Sequence, residues 1–324
     1  KDIDHLAITT APSPTTDERN EIQLVDKTAE QLTAEVLPTI FGYLTPKEIM
    51  RARRVCTTWR DAARKTLIHL TELKIENVMT YNKTRAMSTG LSNLQHLSIC
   101  RLGYYEGRHK YSDSEDPDED EAADTADFTT HDINIISNFT KLRSLEIDNA
   151  PLNGRYPVLF NLPLLQKLSI VYCKNLMWDL EMLAGLPSLK TFECYGSDIT
   201  GDLRSLRMIK DNLEEISITR CPNFVGDLNM LEGFSSLREL TLEDVPLSGN
   251  ISSLRAVKDT IVIVGLGCQL RHIEGNFMDL ADFPFLKELY LGRTSLTGDF
   301  RDISSAREHD FPSLEKLILP WCRI

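Results

Sequence analysis

A leucine spacing that recurs about every 24 residues limits the folds open to this chain more than any other feature. Segments of the form Leu-x-x-Leu-x-Leu, with other apolar residues allowed, begin at ten positions, and successive intervals are 24, 48, 23, 24, 24, 24, 24, 25 and 28 residues. The ten first positions are Leu70, Leu94, Leu142, Leu165, Leu189, Leu213, Leu237, Ile261, Leu286 and Leu314. One such segment cannot bury its apolar face alone, whereas stacked repeats share a continuous core. The constant period therefore predicts a solenoid.

Two further features keep the same phase as the leucines. A glycine-containing turn follows five of the segments, in four of them as apolar-polar-glycine, for example Ile199-Thr200-Gly201, and the glycine suits a turn with unusual backbone angles. A small or thiol-bearing residue precedes that turn, where we expect it to lie inside and hydrogen-bond the bending backbone. These residues are Ala150, Cys173, Ser197, Cys221, Val245, Thr294 and Cys322. We therefore interpret the three cysteines as structural rather than as redox or metal-binding residues.

The repeats resemble the leucine-rich-repeat family over roughly residues 67 to 324. This resemblance implies an α/β solenoid, a horseshoe with one short parallel strand per repeat. The Leu-x-Leu-x-x-Cys form at Leu168 to Cys173 is similar to the cysteine-bearing repeats of F-box proteins. The Leu-Thr-Gly-x-Phe form at Leu296 to Phe300 is similar to repeats of plant receptor ectodomains. Because both forms occur in this chain, the repeat subclass stays open.

The segment before the repeats has the apolar period of helices. A first helical face comprises Leu32, Val36, Leu37, Ile40, Phe41 and Leu44. Thr45-Pro46 starts a second helix, with threonine as cap and proline in the first turn. The stretch from Leu32 to Ile49, followed by the Val-Cys-x-x-Trp-Arg sequence at 55–60, resembles an F-box, a small all-helical domain. Thr33 stands where that family's pattern has proline.

The F-box resemblance implies a surface that binds a Skp-family adaptor. Carried over position by position, this surface comprises Leu32, Leu37, Ile40, Phe41, Leu44, Val55 and Trp59. Some of these residues also have to form the small core of the helical cluster, so we expect a mixed set. The alternative interpretation is a helical cap on the end of the solenoid, which such folds need for solubility.

The sequence predicts a flexible segment at 1–30, an F-box-like helical domain at 31–66 and a leucine-rich-repeat domain at 67–324. An acidic insert at about 103–131 takes the place of one repeat, since two periods separate Leu94 from Leu142. It holds nine Asp and Glu residues between Asp113 and Asp127, and without them the formal net charge of −12 falls to −3. We expect the insert to be disordered, because it repels itself and has little apolar surface to bury.

Alternation with the inward leucines places the other strand residues on one exposed, concave surface. Tyrosine, tryptophan and arginine are enriched at binding hot spots, and acidic residues supply charge. The residues that we expect to contact a protein target are Tyr172, Tyr195, Arg220, Asp244, Tyr290, Arg293 and Trp321.

No pattern typical of an enzyme occurs in the sequence. Val264-Gly265-Leu266-Gly267 is similar to the start of a dinucleotide loop, but Leu270 stands where the third glycine is required. No Cys-x-x-Cys pair or His/Cys cluster has metal-ligand spacing. We therefore expect no enzymatic activity, cofactor or metal. The net negative charge disfavours nucleic acid as a partner, and no apolar stretch approaches the length of a membrane span.

The F-box resemblance implies a substrate receptor of an SCF-type (cullin-RING) ubiquitin ligase, which binds its target on the concave face. The seven cysteines, an odd number without pairing pattern, favour a reducing compartment, and hence the cytoplasm or nucleus. Two alternatives stay open. One is a secreted or receptor-type ectodomain, supported by sequons at Asn82, Asn138 and Asn250; the other is a scaffold that acts without a ligase.

Overall fold

A computed structural model describes residues 36–41, 46–52, 54–67, 70–88, 91–100, 131–150, 152–153, 162–176, 178–267, 270, 272–299, 301 and 310–319. The chain divides into two compact units, Lys1–His69 and Leu70–Ile324. Three predicted site residues, Leu32, Leu44 and Trp321, lie outside the described residues, as do the segment 1–30 and nearly all of the predicted acidic insert.

The first unit is helical. Residues 36–41 form a helix, followed by α1 (Pro46–Ala52) and α2 (Thr57–Leu67). Pro46 occupies the first position of α1, where its missing N–H removes no helical hydrogen bond. Among the described residues of this unit, the buried side chains include Leu37, Phe41, Ile49, Ala52, Ala62 and Ala63.

The described residues of the second unit form seventeen short strands. Their bounds are β1 Glu72–Ile75, β2 His96–Cys100, β3 His131–Asp132, β4 Ser144–Asp148, β5 Leu152–Asn153, β6 Lys167–Val171, β7 Trp178–Asp179, β8 Thr191–Tyr195, β9 Ile199–Asp202, β10 Glu215–Thr219, β11 Phe224–Asp227, β12 Glu239–Glu243, β13 Leu247–Asn250, β14 Ile263–Gly267, β15 His272–Glu274, β16 Glu288–Leu291 and β17 Lys316–Ile318. A helix, α3 (Val78–Met87), lies between β1 and β2 in the sequence.

Ten of these strands form one parallel sheet in the order β1-β2-β4-β6-β8-β10-β12-β14-β16-β17. Each coincides with one of the ten leucine segments, so the predicted leucine-rich-repeat solenoid is confirmed. The registers align equivalent repeat positions, for example Ile216 with Leu240 and Val264. Positions one, four and six of the repeats point inward. They are buried in the eight inner repeats, which gives a continuous apolar core along the sheet, whereas Leu70, Leu73 and all three of these positions in the last repeat are half-buried.

The turns that follow the main-sheet strands form a second row of paired strands in the order β15-β13-β11-β9-β7, and β9, β11 and β13 contain the predicted glycines. Most of these strands lead into a short 3-10 helix that begins after an Asp or Asn. Each of these carboxylates or amides accepts a hydrogen bond from the N–H two residues later, which satisfies a free donor at the helix start. Gly201 and Gly249 have positive φ angles of 115° and 120°, as the turn prediction requires.

The small residues after each strand lie inside, as predicted. Cys173, Ser197 and Cys221 are at most 1% exposed. Their side chains donate to backbone carbonyls two residues earlier, at 3.3 Å, 3.1 Å and 3.4 Å respectively. Burial raises the pKa of the Cys173 thiol to about 11, which keeps it protonated and unreactive. Cys322 lies outside the described residues.

The leucine segments that begin at Leu94 and Leu142 are 48 residues apart, yet their strands, β2 and β4, are neighbours in the ten-stranded sheet. β2 pairs directly with β4, from His96 with Ser144 to Cys100 with Asp148. The sheet therefore continues in register across the point at which residues 101–130 leave and return.

Candidate functional site

The open face of the ten-stranded sheet is defined by strand positions three, five and seven, which alternate with the buried leucines. In six of the repeats the residue at position eight, which lies after the strand, has a left-handed backbone. The φ angles are 45° at Asn149, 51° at Tyr172, 57° at Gly196, 53° at Arg220, 52° at Asp244 and 52° at Arg293. Such angles are uncommon for residues other than glycine, so this turn is imposed by the fold.

A hydrogen bond explains why the same turn geometry recurs in successive repeats. The position-eight N–H donates to the position-seven carbonyl of the next strand, at 2.8 Å from Tyr172 to Tyr195 and 2.9 Å from Arg220 to Glu243. The left-handed turn thus extends the ladder of the sheet by one bond. Four predicted target residues, Tyr172, Arg220, Asp244 and Arg293, share this turn at the carboxyl end of their strands.

Three of the predicted target residues form one cluster. The rings of Tyr172 and Tyr195 meet edge to face with centroids 4.9 Å apart, and the Arg220 guanidinium lies 5.5 Å from the Tyr195 centroid. Gly196 leaves room for this packing, since a Cβ at that position would lie 2.8 Å from the Tyr172 ring. Tyr172 is 46% exposed. The cluster offers flat aromatic surface and one cation, which suits a protein segment.

A second group surrounds Tyr290, two strands beyond Asp244. The Tyr290 hydroxyl donates to the Glu288 carboxylate, and the Lys316 ammonium lies 4.9 Å from the Tyr290 ring centroid. Arg293 is exposed at the end of the same repeat. The predicted target set therefore divides between the Tyr172 cluster and the Tyr290 group, with Asp244 on the strand array between them.

The acidic residues at position three of the open face were missed by sequence reasoning. Glu215 on β10 is in register with Glu239 on β12, and Glu288 lies two strands further on β16. Burial, followed by the charges of Glu215 and Glu288, raises the pKa of the Glu239 carboxyl. The repeat pattern contained the signal for these acidic residues. Position three, like position five, adjoins the inward leucine at position four, so alternation along the strand places its side chain on the open face.

The predicted adaptor-binding residues divide between the interior and the surface of the helical unit. Leu37 and Phe41 are 8% and 1% exposed, and the Phe41 ring packs edge to face on half-buried Trp59 at 5.4 Å. Burial removes Leu37 and Phe41 from the surface set and makes them core residues. By contrast Ile40 is 49% and Val55 is 65% exposed, as is the neighbouring Val36 at 48%.

Neither unit shows the features of a metal or membrane site in the part of the chain that the structure describes. No group of three or more His, Cys, Asp or Glu residues there is arranged to hold a metal ion. No helix among the described residues is long and apolar enough to cross a membrane.

Comparison with known proteins supports both units. A family model described as F-box-like matches residues 34–69. The solenoid is similar to the crystal structure of a TDR receptor, with 17% identity and a TM-score of 0.50, over 79% of this chain and 40% of that one. The chain carries an F-box-like domain followed by leucine-rich repeats. At this identity the structural likeness shows the fold alone.

Other solved structures are more distant. The ectodomain of the Arabidopsis receptor kinase HAESA, in complex with a peptide hormone ligand, has 17% identity and a TM-score of 0.49, over 74% of this chain and 36% of that one. Internalin C2 from Listeria monocytogenes has 17% identity and a TM-score of 0.39, over 68% of this chain and 91% of that one. The chain spans less than half the length of the plant receptors that it matches. No curated protein matches it significantly.

Proposed function

We propose that this chain is the substrate receptor of an SCF-type (cullin-RING) ubiquitin ligase. Its F-box-like domain would bind a Skp-family adaptor, and its open sheet face would bind a protein target. The observation that carries the proposal is the F-box-like match at residues 34–69, directly before the repeats. The reaction itself would belong to other subunits, and this chain would contribute proximity by raising the local concentration of the target.

The exposed apolar residues of the helical unit support an adaptor surface. Val36, Ile40 and Val55 are each about half exposed or more, which is costly for large apolar side chains unless a partner covers them. Arg51, Arg54 and Arg60 are exposed in the same unit and would complement an acidic partner. Both features fit a protein that works within a complex in the cytoplasm or nucleus.

The decisive experiment is a pull-down of a purified Skp-family adaptor by this chain. We expect Ile40→Asp with Val55→Asp to abolish capture while leaving thermal unfolding nearly unchanged, because both side chains are exposed. Met208→Asp, which changes a 76% exposed apolar residue of the repeat unit, serves as the matched control. Phe41→Ala is unsuitable because it empties the core of the helical unit. The proposal fails if the unaltered chain captures no adaptor, or if the double variant captures it as well as the control does.

A ligase role and a scaffold role differ in their products. If the chain recruits an adaptor and cullin, a reconstituted ligase should transfer ubiquitin to a protein bound on the sheet face. A scaffold would bind the same protein without transfer, so a ubiquitination assay separates the two.

The alternative of a secreted ectodomain rests on the Leu-Thr-Gly form of the turns and on three exposed sequon asparagines, Asn82, Asn138 and Asn250. One feature weakens it: Thr84, the hydroxyl residue of the first sequon, is 1% exposed and donates to the Thr80 carbonyl at 2.9 Å. Glycans on these asparagines in the protein isolated from its natural source would reverse the preference.

A further inference from the structure

Two buried thiols meet inside the repeat core. Cys194 lies on β8 at position six, where the other nine leucine segments have isoleucine or leucine, and Cys221 follows β10 at position nine of the next repeat. Both side chains are 0% exposed. Their Sγ atoms are 3.6 Å apart and share a hydrogen bond. To form a disulfide, the two sulfurs would have to approach to a bond length of about 2.0 Å.

Cys173 shows how a cysteine behaves at position nine when the preceding repeat has no thiol at position six. It is buried like Cys221, and both thiols donate to the carbonyl two residues earlier. Cys173 Sγ lies 3.6 Å from the Ile147 carbonyl oxygen, and Cys221 Sγ lies 3.7 Å from the equivalent carbonyl oxygen of Cys194. What differs is the position-six side chain, which is isoleucine at one site and a thiol at the other.

The pKa values of the two position-nine thiols move in opposite directions. Burial raises the pKa of the Cys173 thiol to about 11. The hydrogen bond with Cys194 lowers the pKa of Cys221 although that thiol is buried, and backbone hydrogen bonds from Ser197 and Gly196 act in the same direction. The same thiol–thiol bond, followed by burial, raises the pKa of Cys194. The pair therefore loses its first proton from Cys221, which makes that sulfur the nucleophile and Cys194 the resolving thiol.

The cover over the Cys221 sulfur is thin. Cys221 lies in the connection between β10 and β11, and the other members of this connection, Arg220, Pro222 and Asn223, are all exposed. Connections of this kind open locally at a much smaller free-energy cost than the strands of a core. A molecule as small as hydrogen peroxide can therefore reach the sulfur without unfolding of the repeats.

The thiol pair adjoins the Tyr172 cluster of the open face. Cys194 immediately precedes Tyr195, and Cys221 immediately follows Arg220. The Arg220 guanidinium lies 5.5 Å from the Tyr195 ring centroid, so the chain neighbours of the two cysteines pack together on the open face. A bond between the sulfurs would draw the two backbones together and thereby change the packing of ring and guanidinium.

We propose that Cys194 and Cys221 are a redox pair that a peroxide converts to a disulfide, which links adjacent repeats and alters the Tyr172 cluster. The Cys221 thiolate attacks one oxygen of hydrogen peroxide, which breaks the O–O bond, releases hydroxide and leaves a sulfenic acid on Cys221. The Cys194 sulfur then attacks Cys221 Sγ, the S–S bond forms, and the sulfenic oxygen leaves as water with the Cys194 proton. The hydroxide takes up the proton that Cys221 had released. The two thiols thus lose two electrons, and peroxide is reduced to two molecules of water.

The test is a disulfide map of the folded chain. The reduced protein is treated with dilute hydrogen peroxide, the remaining thiols are alkylated, and the tryptic peptides are analysed by mass spectrometry. Trypsin places Cys194 and Cys221 on separate peptides, 191–204 and 221–238. We expect these two peptides to become joined, with loss of both free thiols together, and we expect dithiothreitol to separate them. The same treatment in denaturant gives the pairing of the unfolded chain for comparison.

Serine variants separate this pair from the other cysteines. Serine already occupies position nine at Ser197, which is buried and donates to the equivalent carbonyl, so Cys221→Ser and Cys173→Ser should both fold. Cys221→Ser should abolish the joined peptide, and Cys173→Ser, the matched control, should leave it unchanged. In the unaltered chain we also expect the Tyr195 ring signals in NMR spectra to shift on oxidation and to return on reduction. In the Cys221→Ser variant the same treatment should leave them in place.

The inference is overturned if the folded chain gives no joined peptide, if the joined peptide forms only in denaturant, or if Cys194 pairs with Cys173 as often as with Cys221. A joined peptide that leaves the Tyr195 signals unchanged would refute the effect on the Tyr172 cluster. Thiol oxidation needs no adaptor, so adaptor capture by the reduced chain is measured separately. Loss of the ligase proposal would leave this redox pair standing, and absence of the disulfide would leave the ligase proposal standing.

Discussion

At the scale of single residues, the fold decides what the sheet face can present. Tyr172 occupies a left-handed turn, and its ring lies over the backbone of Gly196, the equivalent residue of the next repeat. The exposed aromatic surface therefore depends on a glycine that contributes no contact of its own to a partner. Sequence reasoning identified Tyr172 by type, but the dependence on Gly196 follows only from the stacking of adjacent repeats.

Gly196→Ala tests that dependence. The new Cβ would lie 2.8 Å from the Tyr172 ring and would sit at a φ of 57°, so the ring has to move and the turn becomes strained. We expect a loss of about 1 kcal/mol in unfolding free energy, measured by chemical denaturation, together with altered Tyr172 ring signals in NMR spectra. Arg220→Ala is the control, because it replaces a non-glycine residue at the same repeat position. Equal stability of the two variants would contradict the packing described here.

His131 provides a prediction on pH. It is 6% exposed, its ring packs edge to face on Tyr81 at 4.7 Å, and its Nδ1 atom has no hydrogen-bond partner among the described residues. Burial lowers the pKa of His131 in the folded protein. The unfolded-state pKa of His131 is about 6.5, and just below that pH the unfolded chain binds more protons than the folded chain. The contribution of neutral His131 to stability is therefore complete above that pH and declines as the pH falls toward the folded-state pKa.

His131→Phe keeps a ring against Tyr81 and removes the titration. We expect the melting temperature of the unaltered chain to fall more steeply between pH 7 and pH 5 than that of the variant, as measured by circular dichroism. His96→Phe, at an exposed strand position, is the control and should leave the pH profile unchanged. If the melting temperatures of the His131 variant and the unaltered chain fall equally with pH, then His131 has the same protonation state in the folded and the unfolded chain.

At the scale of elements, the ten strands were predictable because each contains the same apolar pattern. The near-constant interval between successive patterns supports every one of them. The outer row of strands was not predicted, since neighbouring strands in it share only two or three residue pairs and their sequences carry no alternation of their own. The helical unit shows the opposite difficulty. An apolar helical face identified Phe41 and Ile40 together, but three packed helices place one inside and the other on the surface, which a single-helix period cannot distinguish.

Leu240→Ala tests the coupling between elements. Leu240 lies on β12 at position four of its repeat and is fully buried. It is in register with Ile216 and Val264 of the adjacent strands. Its truncation should cost about 2–5 kcal/mol in unfolding free energy. Because neighbouring repeats share the interface, amide exchange should also increase in β10 and β14. Thr241→Ala, on the open face one residue later, should have a much smaller effect, and comparable losses for the two would mean that the inward and outward positions are wrongly assigned.

At the scale of the whole molecule, the central question is how the repeat array tolerates an interval of two periods. The acidic sequence between Leu94 and Leu142 lies almost wholly outside the described residues, but the strands on either side of it are defined. β2 and β4 form a continuous parallel pair of five residues each, and Ile99 and Ile147 at position six are both fully buried. Among the described residues, the core therefore passes directly from β2 to β4 at this junction.

Deletion of Tyr111 to Ala126 should accordingly leave the melting temperature nearly unchanged, because the removed segment carries eight of the nine clustered carboxylates and these could not be buried without partners. The deletion should weaken the salt dependence of binding to a basic partner, since exposed charges act over roughly 10 Å or less at physiological salt. Replacing the same acidic residues by Asn and Gln, at unchanged length, separates charge from chain length and should reproduce the altered salt dependence. A large fall in melting temperature on deletion, absent in the charge-neutral version, would instead show that the segment packs on the solenoid and substitutes for the missing repeat.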